Sequence, residues 1–273
     1  MSDTHLEFIQ YTFQSLNDLD RFENAAAMDV TEGDFDFHLA DGLLEARPRV
    51  DLAGIDEGRA AVEPILASWV AQAALDQPQR QIRFAYHDHR TIRRATGQPL
   101  AGASSTRTFS IQAGAAIKRD NLAYPAPPVG FRTDAVLDGV LARLAHLEAG
   151  RAHVTDVANW VVTRIETSFG GAAKGSNVRT AVGHALAIDP EIVRELARLA
   201  AQNAPVVGRK AKGPEVPLTN AEKAWMRSAV ILIARQIGAV NAGTTPTRKT
   251  MADLPAYPGR SDRGSGPATT VGH

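Results

Sequence analysis

No cysteine occurs in this chain of 273 residues. That absence excludes a disulfide framework, a thiolate zinc site, an iron–sulfur cluster and a cysteine nucleophile together, and it fits a reducing cytosol. Long apolar runs are missing as well. The longest, Ser228–Val240, carries Arg235 and Gln236, is too short to cross a bilayer, and reads as a buried core helix. The N-terminus, MSDTHLEFIQ, has no basic stretch followed by an apolar one, so no signal peptide is expected and a cytoplasmic location is. There is no net charge either, 30 basic residues balancing 30 acidic ones. What is present is ordinary for a globular protein, 44% hydrophobic and 22% charged residues, in a length that suits one large domain or two smaller ones.

The charge is unevenly spread. Residues 1–76 hold 16 acids and 4 bases, whereas 77–273 hold 14 acids and 26 bases. Opposite signs attract within a chain or between copies, and a basic half can also meet an acidic partner such as nucleic acid.

The patterning predicts an α+β front and an all-helical back. In the front, Leu6, Ile9, Phe13 and Leu16 fall at helical spacing and suggest a first helix over 2–23. Phe35, Phe37 and Leu39 alternate with polar residues as in a half-buried strand, and Asp41-Gly42 marks a hairpin whose return strand is Leu43–Leu52. Asp56 can cap a helix to about Leu75 with Val62, Ile65, Leu66, Trp69, Val70 and Ala73 on one stripe, interrupted by Pro64. Strands are expected from Ile82 through about Thr91, and at Arg107–Ile111 and Ala115–Arg119. Together they make an antiparallel sheet covered by one helix, residues 1–123. The proline-rich run Tyr124–Phe131 reads as an extended connector.

Residues 132–240 read as helices throughout. Thr133 is the expected cap of the first, Thr155 or Asp156 opens the second, and Gly170-Gly171 stops it. A short pair, Asn177–Ala187 and Pro190–Ala201, follows, with Asp189 as N-cap. Asn203–Pro217 reads as a loop. Thr219 and Glu222 form a capping box for a last helix to about Gly238, apolar on two faces and so expected at the centre of its bundle. Residues 241–273 read as a disordered tail.

Few segments suggest chemistry. Ser168–Ser176 (SFGGAAKGS) follows a helix rather than a strand, and Gly175 rather than Ser or Thr follows Lys174, so it reads as a linker and not a phosphate loop. His87 and His89 would share one strand face, and the acids Glu32, Asp34 and Asp36 cluster early, but a solvated strand accounts for each. No catalytic, metal or cofactor-binding residue is assigned. The best-shaped motif is Thr180–Leu199 (TAVGHALAIDPEIVRELARL), in which Val182, Gly183, Leu186, Ala187, Ile188, Val193 and Leu196 follow a helix-turn-helix-like order. On DNA, Arg194 and Arg198 would face the duplex, and Arg179, Arg209, Lys210 and Lys212 would meet phosphates. Against that stand Glu191 and Glu195 on the same face, and a packed αα-hairpin demands the same spacing.

Several stretches resemble a family of uncharacterised bacterial proteins with a YPxPP connector and a C-terminal helical domain: Ala60–Trp69, Tyr124–Phe131, Asn159–Glu166, Ala185–Leu199 and Arg209–Ile233. The resemblance implies that arrangement and a bacterial origin, and it carries no activity. The function expected is a non-catalytic protein-binding or regulatory module, acting through its helical part on a protein partner or a second copy. The alternatives are DNA binding through 180–199 and a metal-dependent enzyme.

Overall fold

The computed structural model describes residues 4–16, 22, 25–77, 81–93, 123–175, 177–202 and 217–256. The chain divides into two compact units, Met1–Thr133 and Asp134–His273.

Among the described residues the first unit is a five-stranded antiparallel sheet in the order β2-β3-β4-β1-β5. Its strands are β1 (Thr4–Ser15), β2 (Met28–Glu32), β3 (Phe35–Ala40), β4 (Leu43–Pro48) and β5 (Ile82–Arg93), with the helix α1 (Ile55–Asp76) between β4 and β5. The expected N-terminal helix is therefore a strand. A bulge explains the false helical period: Leu6 pairs with Thr91 but Phe8 with Arg90, so Glu7 is an extra residue in β1. The step from Leu6 to Ile9 then spans three residues on one face, after which Ile9, Tyr11 and Phe13 alternate into the core.

The β3–β4 hairpin turns at Asp41-Gly42, both at positive φ (51° and 73°), as the sequence predicts. A second hairpin, β2–β3, turns at Gly33-Asp34; Asp34 thus lies in a turn and not on a strand face with Asp36. The expected strands at 107–111 and 115–119 lie outside the described residues.

α1 runs unbroken through Pro64, which sits on its exposed side, where the missing N–H is least costly. Asp56 does not cap it; Glu57 reaches back to accept from the Ala53 amide (2.8 Å). Val62, Ile65, Leu66, Trp69 and Ala73 pack onto Ile9, Phe13, Phe35, Phe37 and Leu39. The proline-rich run belongs to this core and is not a free spacer. Tyr124 is buried and its hydroxyl accepts from Gly42 N (2.9 Å), Pro125 O accepts from Trp69 Nε1 (3.0 Å), and Arg132 pairs with Glu32. Thr133 N donates to the wholly buried Ser68 hydroxyl (3.2 Å), which itself donates to Pro64 O (2.7 Å).

The second unit is helical: α2 (Ala135–Glu148), α3 (Val154–Phe169), α4 (Asn177–Ala185), α5 (Pro190–Gln202) and α6 (Asn220–Asn241). Asp134, not Thr133, caps α2, accepting from the amides of Val136 and Leu137. α3 starts without a side-chain cap. The Thr219/Glu222 capping box of α6 forms as expected. α3 touches each of the other four helices, so it shares the interior with α6. Residues 242–256, expected in the disordered tail, are folded: Ile188 and Lys249 form a parallel bridge, a short 3-10 turn follows at Met251–Asp253, and Leu254 is buried. Residues 257–273 lie outside the described residues. Among the described residues no helix is long and apolar enough to cross a membrane.

Candidate functional site

The first unit carries a pocket of about 290 Å³ between α1 and β5, lined by Tyr11, Arg59, Glu63, Leu66, Ala67, Val70, Arg83, Phe84 and Tyr86. Bulges set it up. Gln10 pairs with Asp88 while Tyr11 pairs with Tyr86, which leaves His87 as an extra residue in β5 and brings both tyrosines to the α1 side of the sheet. Their rings meet edge to face at 6.2 Å. Arg59 and Glu63, one turn apart on α1, form an ion pair (2.6 Å), and the Arg59 guanidinium lies over the Tyr86 ring at 5.2 Å. Arg83 Nε donates to Gln14 Oε1 (2.7 Å), which holds it at the rim.

The inner wall is polar in one place. Tyr11 is only 3% exposed, and its hydroxyl is shut off from the surface with Arg59 beside it, in no hydrogen bond of good geometry. Burial, followed by the nearby Glu63 carboxylate, pushes its pKa up to about 12, while the Arg59 guanidinium beside the hydroxyl partly offsets the rise through its charge and a hydrogen-bonding contact. All these influences come from pocket-lining residues. An unpaired buried hydroxyl costs roughly 1–3 kcal/mol, so a core normally removes or pairs it. Tyr86, also raised by burial and by Asp88, is 42% exposed and hydrogen-bonds His89 Nδ1 (2.8 Å).

The helix-turn-helix-like hairpin is present, and the structure shows how it is held. Gly183 is required because a Cβ there would stand 2.9 Å from Ile188 O and 2.7 Å from Pro190 Cγ. Ile188 N donates to Gly183 O and Ala187 N to His184 O, a Schellman-type stop with Ala187 at φ 49° where glycine is usual. Asp189 caps α5 through Glu191 N. The turn is strapped from behind. Gln236 Nε2 of α6 lies 3.0–3.2 Å from the carbonyls of Leu186, Ala187 and Thr247, while Lys249 N donates to Ala187 O and Asp189 N to Lys249 O.

The sequence-derived contact residues do not form an open basic surface. Arg194 pairs with Glu191 (3.1 Å) and reaches Thr180 Oγ1; Arg198 pairs with Glu195; Arg179 pairs with Glu166 of α3 (2.8 Å). Each described guanidinium is neutralised by a carboxylate of the same unit. Arg209, Lys210 and Lys212 lie outside the described residues.

His87 and His89 do not share a strand face, because the bulge falls at His87 and His89 turns to Tyr86. Asp36 accepts from Thr31 (2.6 Å) and Asp29 contacts His38 (2.7 Å) on the sheet face away from α1. Among the described residues no group of three or more His, Asp or Glu side chains converges as metal ligands would. A larger cleft, about 870 Å³, opens in the second unit beside the starts of α3 and α6; Glu148 and Arg227 pair across its wall (2.5 Å).

No protein-family model, curated protein or solved structure matches this chain. The site is therefore read from its own chemistry. Tyr11 escaped the sequence reading because its segment was assigned to a helix; the Ile9-Tyr11-Phe13 alternation was the signal that could have found it.

Proposed function

We propose that this chain is a non-catalytic, cytoplasmic binding module that recognises another protein through the pocket around Tyr11. One observation carries the reading: a concave patch between α1 and β5 joins an apolar floor to an aromatic and charged rim. The walls support a protein partner in particular. Tyrosine and arginine dominate the energetic centres of protein interfaces, and here two tyrosines and two arginines surround an apolar floor. The sequence expectation put the contact on the helical part; the proposal moves it to the first unit, where the tyrosine- and arginine-rimmed apolar lining lies.

The test is site-specific photo-crosslinking from position 70, at the pocket floor, in the native host, followed by binding of the recovered partner to purified chain. Partner affinity at least tenfold lower for both Tyr11→Phe and Arg59→Ala, with Arg194→Ala unchanged, supports the site. No specific crosslink, or equal affinity for the Tyr11→Phe chain, overturns it.

A further inference from the structure

We infer that the cleft of the second unit, beside the starts of α3 and α6, binds a carboxylate carried on an apolar body. Nothing in this depends on the Tyr11 pocket. The helices α2, α5 and α6 are closed at their starts by side chains of the chain itself: Asp134 accepts from Val136 and Leu137, Asp189 from Glu191, and Thr219 from Glu222. The start of α3 is left open. His153 stands at its N-cap without a side-chain hydrogen bond, and the amides of Val154 and Thr155 meet no acceptor among the described residues. Unmet amides and the positive end of the helix dipole together favour a negative group.

Thr155 points to the same place independently. It is only 8% exposed, it lines the cleft, and its hydroxyl makes no hydrogen bond among the described residues. Unlike the Tyr11 hydroxyl, it is not sealed from the surface. A buried hydroxyl is ordinarily paired, and an oxygen held at the start of α3 would pair this one.

The charges around the cleft select the anion. Arg227 and Glu148 cancel each other (2.5 Å), and the exposed ammonium of Lys223 on α6 is balanced by Asp156 on the first turn of α3. That leaves the helix start to hold one negative charge; the second charge of a phosphate would meet Asp156 unmatched. Leu147, Val154, Pro217, Leu218 and Ala224 supply apolar walls, and about 870 Å³ is the volume of a small-ligand site. The fitting chemistry is therefore an apolar carboxylate, either a free aliphatic acid or the C-terminus of a peptide that ends in an apolar residue.

The experiment titrates the isotope-labelled full chain with hexanoate, with an acetylated tripeptide ending in leucine, with the primary amide of each, and with inorganic phosphate. Backbone resonances of Val154, Thr155 and Leu218 are followed. At least one acid is expected to shift them and to bind at least about fivefold tighter than its amide; the tighter of the two identifies the source of the carboxylate. Thr155→Val should weaken that acid at least about threefold without lowering the melting temperature. His153→Asp, which gives α3 a cap of its own, should raise the melting temperature and weaken the acid at least about fivefold. Acids that leave these resonances in place or bind no tighter than their amides overturn the inference. So does phosphate binding tighter than both acids, or an acid whose affinity survives both substitutions.

Discussion

Around Tyr11 a buried hydroxyl makes no hydrogen bond of good geometry, whereas on α5 the guanidiniums of Arg194 and Arg198 each have a carboxylate from their own helix. The two surfaces looked the other way round in sequence: the α4–α5 hairpin carried the recognisable motif, and the N-terminal segment carried none. The contrast teaches that a motif's shape and its availability for binding are separate properties. The hairpin's apolar spacing serves its packing, its turn is tied to Gln236 and Lys249, and its charges are mutually satisfied. The pocket keeps a polar group that stability alone would remove.

The contrast can be broken or sharpened by substitution. The largest effect is expected at Gln236, whose amide serves three carbonyls in the interior of the second unit. Gln236→Leu should cost about 3 kcal/mol, since it leaves buried acceptors unmatched, and denaturant unfolding would measure it. A loss below about 0.5 kcal/mol would mean that the strap does not hold the hairpin.

Next comes the alkaline behaviour of the first unit. Because Tyr11 is held at about 12 when folded against 10.0 ordinarily, the unfolded chain loses that proton first as pH rises. Stability from this group is therefore intact below pH 10 and falls between about pH 10 and 12, by about 2 kcal/mol. Tyr11→Phe should remove this component, so the difference in unfolding free energy between variant and parent should grow across that window; parallel curves would show that Tyr11 is not protected by burial.

A smaller effect is expected at Ala187. With φ 49° it sits in a conformation that glycine adopts at no steric penalty, so Ala187→Gly should stabilise the second unit by about 1 kcal/mol. The smallest belongs to the exposed pair. Arg194→Ala should change stability by less than about 0.5 kcal/mol, as exposed i,i+3 ion pairs do. Its mobility-shift behaviour with duplex DNA should match the parent's at low salt; a steeply salt-dependent shift lost with Arg194 and Arg198 would return the hairpin to nucleic-acid recognition.

Legibility differed between the units for physical reasons. Helices in the second unit announced themselves through local chemistry, since the Asp189-Pro190 start and the Thr219/Glu222 box are readable within four residues. The sheet depends on pairing between distant residues, and its two bulges disturb the two-residue period that sequence reading relies on. Glu7 made β1 resemble a helix, and His87 undid the apparent histidine pair. The proline-rich run was read from composition as a spacer, but Tyr124 and Phe131 are buried and its carbonyls serve Trp69 and Arg132, a role visible only in three dimensions. The pocket was hidden for the same reason, because it joins β1, α1 and β5 across more than seventy residues of chain.

The most direct test of the central claim is a paired measurement on Tyr11→Phe at neutral pH: melting temperature, and affinity for the partner recovered by crosslinking. A site kept for recognition gives a chain at least as stable as the parent that binds at least tenfold more weakly. A chain that loses stability while binding undiminished would show that the hydroxyl serves the core and that recognition lies elsewhere.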